Sequence, residues 1–136
     1  MKYLLDTNIC IYWFKGSIEI KSKLSAIDVD NITISAITVA ELLYGAYNST
    51  NVEKNINKVK EFEEVINILD LDRKCLECYA EIKAKRRAEG KMIDDFDILI
   101  AATAIVNDCV LVTNNTKHFE RIDGLTIENW ISHESV

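Results

Sequence analysis

The chain has no proline, no low-complexity run and no repeat of solenoid length, so nothing marks a linker at which it would divide. Its 136 residues, 49% of them apolar, suffice for one compact domain with a sizeable core, and residues 1–136 read as a single unit. Long apolar runs are missing too. The stretch from Met1 to Asp6 is too short for a secretion signal and no segment approaches membrane-spanning length, so a soluble cytoplasmic protein is expected. Cysteine is sparse. Cys10, Cys75, Cys78 and Cys109 lie in apolar patterns, and Cys75 and Cys78 spell a CxxC with no second pair at metal-ligand spacing; packing is expected rather than zinc or redox chemistry. Positive charge is also short. A formal net charge of −6 excludes nucleic-acid binding through a general basic surface, but not phosphate contacts bridged by divalent cations that neutralise part of that charge.

What the chain does have is an apolar segment headed by acids: Asp94, Asp95 and Asp97 lead into Ile98-Leu99-Ile100-Ala101-Ala102-Thr103-Ala104. A helix hydrophobic all round is normally buried, so it carries Asp97 to the edge of the core, where an ionised carboxylate needs a partner. The helix N-terminus and a cation are the simplest partners. On this stretch alone capping competes with a site, because acids in a first turn suit the helix dipole and Asp94 is placed as the N-cap.

In chain order, Tyr3-Leu4-Leu5 reads as a short buried strand ending in Asp6, and a helix fits Ile9 to Phe14, capped by Thr7 or Asn8 and stopped at Gly16. Asp6 then lies at the carboxyl end of a strand, where open parallel sheets place their ligands; the alternative is a turn-forming residue. A weakly amphipathic helix around Ile18–Ile27 precedes a β-branched strand, Ile32–Ser35. The next helix has Val39, Leu42, Leu43, Ala46 and Tyr47 as its core face, with Glu41 off that stripe between Thr38 and Gly45. A mid-helix glycine costs roughly 0.5–1 kcal/mol relative to alanine, so either a backbone packs closely at Gly45 or space is kept beside Glu41.

Thr50 and Glu53 suggest a capping box for a helix with the stripe Val52, Ile56, Val59, Phe62 and Val65. Ile66–Leu71 is a possible strand, and Asp72 caps a helix running to Gly90. Lys83, Lys85, Arg86, Arg87 and Lys91 near its end complement the helix dipole or contact phosphates. Cys109–Val112 is a buried strand ending in Thr113-Asn114-Asn115, which repeats the pattern at Asp6. His118 reads as a solvated surface histidine, and a last strand fits Leu125–Ile127 after the turn at Asp123-Gly124. This alternation of strands and helices predicts an α/β fold: a three-layer sandwich around a mostly parallel sheet of about five strands.

Asp6, Glu41, Asp97 and Asn115 each fall at an end or polar face of an element, and such a sandwich can bring them together. Converging carboxylates are tolerable only with protons or cations bound, and oxygen ligands at few positions suit Mg2+ or Mn2+. These residues also carry a resemblance. Asp6-Thr7-Asn8, Glu41-Leu42-Leu43-Tyr44-Gly45, Asp97 with Ile98 to Ala104, and Leu111 to Asn115 leading to Phe119-Glu120-Arg121-Ile122-Asp123-Gly124-Leu125 resemble, in order from Met1 to Trp130, the PIN-domain ribonucleases. More closely, they are similar to the VapC toxins of toxin-antitoxin pairs.

The resemblance implies an endoribonuclease in which Asp6, Glu41 and Asp97 hold Mg2+ or Mn2+, directly or through water, with Asn115 where many relatives carry aspartate. It implies metal-assisted hydrolysis that leaves 5'-phosphate and 3'-hydroxyl ends, and supporting positions at Thr7 and Thr113. Arg86 and Arg87 are candidates for positioning RNA. Asp94 and Asp95 do not match the essential acid. The resemblance further implies a homodimer silenced by a cognate antitoxin whose tail covers the acidic groove, a basic side chain competing with the metal. The stripe Ile56, Val59 and Phe62 is either its docking surface or ordinary hairpin packing. Two rivals stand beside this. A receiver-like Mg2+-binding signalling domain would need paired acids after the first strand and an acceptor after the third, and a catalytically silent PIN fold would only bind protein.

Overall fold

The computed structural model describes residues 1–132. Leu4 and Leu5, both fully buried, end strand β1 (Lys2–Leu5). Successive strand residues point to opposite faces. Leu5 joins one core, with Ile9, Ile34, Val59, Phe62 and Val112, while Leu4 joins another, with Ile100, Ala101, Ala104, Leu111 and Phe119. A sheet with an apolar core on each face needs helices on both sides, and it has them.

The sheet is five-stranded, in the order β3-β2-β1-β4-β5, with β2 (Ile32–Ser35), β3 (Asn67–Leu69), β4 (Cys109–Val112) and β5 (Ile127–Glu128). Every pairing is parallel. Helices α1 (Thr7–Phe14), α2 (Ile18–Ser25), α3 (Ala36–Tyr47) and α4 (Val52–Val65) supply the first core. Helices α5 (Arg73–Ala88), α6 (Asp95–Val106) and α7 (Thr116–Phe119) cover the other face. The three-layer α/β sandwich expected from the sequence is therefore the observed architecture. Among the described residues no helix is long and apolar enough to cross a membrane.

The departures are local. β3 is shorter than Ile66–Leu71 because Ile66 serves as the C-cap of α4, its N–H bonded to Phe62 O. β5 starts later than Leu125 because the turn through Gly124, at φ +81°, extends to Leu125, whose N–H still bonds back to Ile122 O. The capping box at Thr50 is not formed: Asn51 is the N-cap of α4 and its side chain makes no capping bond. Tyr47 lies outside the core and is exposed, whereas Ala46 beside it and Thr38 are buried. Val59 and Phe62 are buried against α1 and α3, with Trp13 and Phe14 edge-on to Phe62, so the α4 stripe is spent on hairpin packing.

Strand order also tests the receiver-like layout. The third strand lies at the sheet edge, separated from β1 by β2, or about 10 Å at the usual strand spacing. An acceptor after β3 would not face Asp6.

Candidate active site

In this topology the chain builds outward from β1 in one direction to β3, then returns to the other side of β1 with β4. The crevice at the carboxyl ends of β1 and β4 is the topological switch point, where open α/β sheets bind ligands. Asp6 follows β1 and Thr113-Asn114-Asn115 follows β4, with Asp6 N–H bonded to Val112 O at 3.0 Å across the gap.

Asp6 is the N-cap of α1, its Oδ1 accepting from Ile9 N–H at 2.9 Å, which starts the helix two residues ahead of the expected Ile9 and displaces Thr7 and Asn8 as caps. The residue is only 6% exposed. Burial pushes its carboxyl up to about 6, with hydrogen bonds from Thr113 and Ile9 opposing and the charges of Asp97 and Glu41 adding. The Thr113 hydroxyl, itself fully buried, also accepts from Asn115 N–H at 3.0 Å, so one side chain joins Asp6 to the turn after β4.

Glu41 projects from α3 one turn after Thr38. Thr7 Oγ1 donates to Glu41 Oε1 at 2.6 Å and lies 3.1 Å from Thr38 Oγ1. With the Thr7 proton committed to the carboxylate, Thr38 is the donor in the second contact. Thr7 therefore takes the supporting place expected of it, and Thr38 is a further member of the site that had been read only as Glu41's neighbour. Burial raises the Glu41 carboxyl, the Thr7 hydrogen bond opposes this, and the charges of Asp97 and Asp94 add to it.

Asp97 sits in the first turn of α6, which then buries Ile98, Ile100, Ala101, Ala102, Thr103 and Ala104. Its carboxyl is raised by burial and by Asp94, with the His118 contact pulling the other way. Asp94 is the N-cap as expected, yet its side chain makes no capping bond; its charge acts on Glu41 and Asp97 instead. Asp95 points elsewhere, bonded to Lys83 at 2.9 Å and Tyr79 OH at 2.9 Å.

Asn115 Nδ2 is 2.8 Å from His118 Nδ1, which in turn lies 3.3 Å from Asp97 Oδ2. His118 is exposed, as expected, and its ring also contacts Asn115 and Asp97 at the rim of the acidic cluster. Nothing in the sequence pattern marks it, since a single histidine on a four-residue helix has no periodicity. The basic cluster behaves differently from expectation. Arg86 is 7% exposed and its Nε donates to Lys91 O at 3.0 Å, so its guanidinium holds the loop after α5 and is not presented to a phosphate. Lys85 pairs with Asp123. Arg87 is exposed.

Among the described residues no Lys or Arg pairs with Asp6, Glu41 or Asp97. Three carboxylates, each raised in pKa, therefore have no Lys or Arg partner, and the basic group against them is His118, at Asp97. Their hard oxygen donors are of the kind Mg2+ or Mn2+ prefers, but among the described residues no group of three or more His, Cys, Asp or Glu side chains is placed to hold a metal ion, so an ion here would be held by one or two carboxylates with waters completing its shell. Beside Glu41 opens a groove of about 250 Å³ lined by Ile11, Phe14, Leu42, Gly45, Val59 and Lys58, among others. A Cβ on Gly45 would meet nothing within 4 Å, so close backbone packing does not explain that glycine, which lines the groove beside Glu41.

Comparison with known proteins places this geometry. The family model of the PIN domain matches residues 3–125. Ribonuclease VapC2 of Haemophilus influenzae is 42% identical over 132 residues, covering 96% of this chain and 99% of the relative. The tRNA(fMet)-specific endonuclease VapC of Shigella flexneri is 35% identical over 130 residues, covering 96% and 98%. Among solved structures, VapBC2 from Rickettsia felis, bound to a DNA fragment from its promoter, contains a chain that superposes with a TM-score of 0.89 at 39% identity, covering 96% of this chain and all of that one.

Proposed function

The chain belongs to the PIN-domain family, and from that premise we propose that it is a metal-dependent endoribonuclease, the toxin of a toxin-antitoxin pair, hydrolysing RNA phosphodiester bonds and so inhibiting translation and growth. The observation that carries this is the set of three carboxylates, Asp6, Glu41 and Asp97, that no Lys or Arg among the described residues pairs with and that are each raised in pKa by burial and by acidic neighbours. Structural acids are normally relieved by a Lys, an Arg or a helix end. Here Asp6 caps α1 and Asp97 lies in the first turn of α6, yet neither helix end brings its acid back to an ordinary carboxylate.

In this assignment Asp6, Glu41 and Asp97 hold Mg2+, with Mn2+ as the alternative, directly or through water, and Asn115 completes the polar rim. When bound, the ion activates water as nucleophile and offsets charge developing on the phosphate. Thr7 fixes the Glu41 carboxylate by its 2.6 Å hydrogen bond, and Thr113 fixes Asp6 relative to the turn that carries Asn115. No side-chain nucleophile is needed. Of the two arginines expected to position RNA, Arg87, exposed where α5 ends, is the one left for a phosphate contact.

The apolar groove beside Glu41 suits a segment of a cognate antitoxin, whose basic side chain would reach the carboxylates from the rim. Chains like this one have been crystallised in VapBC complexes, which supports an antitoxin as partner. A homodimer is part of the same reading. The RNA to try first is initiator tRNA, because the Shigella relative is named for it.

Purified protein is expected to cleave RNA with Mg2+ or Mn2+, and Asp6→Ala, Glu41→Ala and Asp97→Ala each to lose cleavage while keeping their circular dichroism. Full activity in excess chelator overturns the metal mechanism. Absence of cleavage with every RNA tested, alongside antitoxin binding, would favour the catalytically silent PIN fold.

A further inference from the structure

The first turn of α6 carries Asp97, yet its own sequence holds that turn loosely. Asp94 is the N-cap and makes no side-chain capping bond. Asp94, Asp95 and Phe96 are exposed, and the three acids Asp94, Asp95 and Asp97 fall together, repelling one another although the helix dipole favours each. Burial takes hold only from Ile98 onward. A helix end without other anchors frays. Helix α5 supplies the anchor. Tyr79 and Lys83, one turn apart, meet at Asp95: Lys83 Nζ donates to Asp95 Oδ1 at 2.9 Å, Tyr79 OH donates to the same oxygen at 2.9 Å, and Lys83 Nζ lies 3.3 Å from the Tyr79 oxygen. The ammonium is also 5.7 Å from the centre of the Tyr79 ring. The approach to α6 is tied to α5 as well, Arg86 Nε donating to Lys91 O at 3.0 Å and Lys91 N–H to Arg86 O at 2.9 Å.

Asp95 and Asp97 are two residues apart, about 200° around the helix, so the first faces α5 while the second faces the acidic crevice. We propose that Tyr79 and Lys83 are positioning residues, acting through Asp95 to fix the rotation of the first turn of α6 and with it the Asp97 carboxylate. The inference rests on the ribonuclease reading given above and deepens it. Side-chain atoms lie about 5–6 Å from a helix axis, so turning that first turn by about 10° carries the Asp97 carboxylate about 1 Å. A misplacement of that size can cost about a hundredfold in rate. The Lys83 and Asp95 side chains are 37% and 51% exposed, and an ion pair so placed adds little to global stability. Its effect is local.

The test compares full-length Lys83→Met, Tyr79→Phe and Asp95→Asn with the unaltered chain, by hydrogen exchange at the α6 backbone amides without RNA and by cleavage of an RNA that the unaltered protein cuts. Lys83→Met is expected to exchange its Ile98 and Leu99 amides about tenfold faster, to keep its urea midpoint, and to lose kcat about tenfold with KM unchanged. Tyr79→Phe and Asp95→Asn are expected to change both readouts in the same direction. Lys83→Arg is expected to recover most of kcat, and Lys83→Met with Asp95→Asn to lose no more than either change alone, since the two side chains act as one unit. Unchanged exchange in Lys83→Met, or full kcat despite faster exchange, overturns the proposal and leaves the nuclease reading standing. So does a raised KM with kcat intact, which would mark Lys83 as a phosphate contact. An unaltered protein that cleaves no RNA overturns both.

Discussion

Asp6 meets two requirements that oppose each other. Its Oδ1 caps α1, which any Asp or Asn would do, while its negative charge sits in a niche 6% exposed with two other carboxylates nearby. A carboxyl whose native pKa is raised from 3.8 to about 6 binds its proton more tightly folded than unfolded. Metal-free stability is therefore highest below pH 4 as far as this group is concerned, falls as pH rises through the interval from 3.8 to about 6, and stays lower above it; the full cost is of order 3 kcal/mol. Asp6→Asn keeps the cap and removes the charge. In urea denaturation at pH 7 without divalent ions, Asp6→Asn is expected to be more stable than the unaltered chain by about 1–3 kcal/mol, to lose that advantage at pH 4, and to be inactive as a nuclease. A variant less stable at pH 7 would mean that the Asp6 charge is favourably partnered.

Helix α3 gives up stability at Gly45 in a comparable way, over one turn rather than one atom. The glycine is exposed, its ideal Cβ meets nothing within 4 Å, and its neighbours line the groove beside Glu41. Gly45→Ala is expected to stabilise the protein by about 0.5–1 kcal/mol, read as a higher urea midpoint with unchanged slope. No gain would place a contact on that helix face. Elements like α6 and β4 were legible from sequence because their apolar runs are continuous: Ile98 to Ala104 and Cys109 to Val112 have no plausible exposed arrangement. Helix starts were less so. Asp6, Thr7 and Asn8 are all competent caps, and only the ladder bond from Asp6 N–H to Val112 O fixes which one the helix uses. The candidate residues Asp6, Glu41, Asp97 and Asn115 could be placed on the fold from their order along the chain, since each follows or rides a regular element, while their roles came from the family resemblance. Their electrostatic partners could not. Asp94 sits where a cap belongs and acts on Glu41 and Asp97, and His118 reaches Asp97 only because α7 folds back from β4.

For the molecule as a whole, a net charge of −6 has to be reconciled with an RNA substrate. Several cations are already occupied: Lys83 with Asp95, Lys85 with Asp123, Arg73 with Glu77, and Arg86 with the Lys91 carbonyl. Lys58 borders the groove beside Glu41, with Lys15 also lining it, and Arg87 is exposed at the end of α5. An RNA seated at the acidic crevice and touching only Lys15, Lys58 and Arg87 has few phosphates neutralised by side chains, and divalent ions at the crevice would add to the attraction. Two or three such contacts on single-stranded RNA give a slope of log K against log salt of about −2, shallow for a nucleic-acid-binding protein. RNA binding measured in Ca2+, chosen to occupy the oxygen ligands while slowing hydrolysis, is expected to show that slope and to collapse when the ion is chelated. Tight binding that survives chelation, or a slope several times steeper, would place a basic RNA track elsewhere on the surface and remove the acidic crevice from the recognition of substrate.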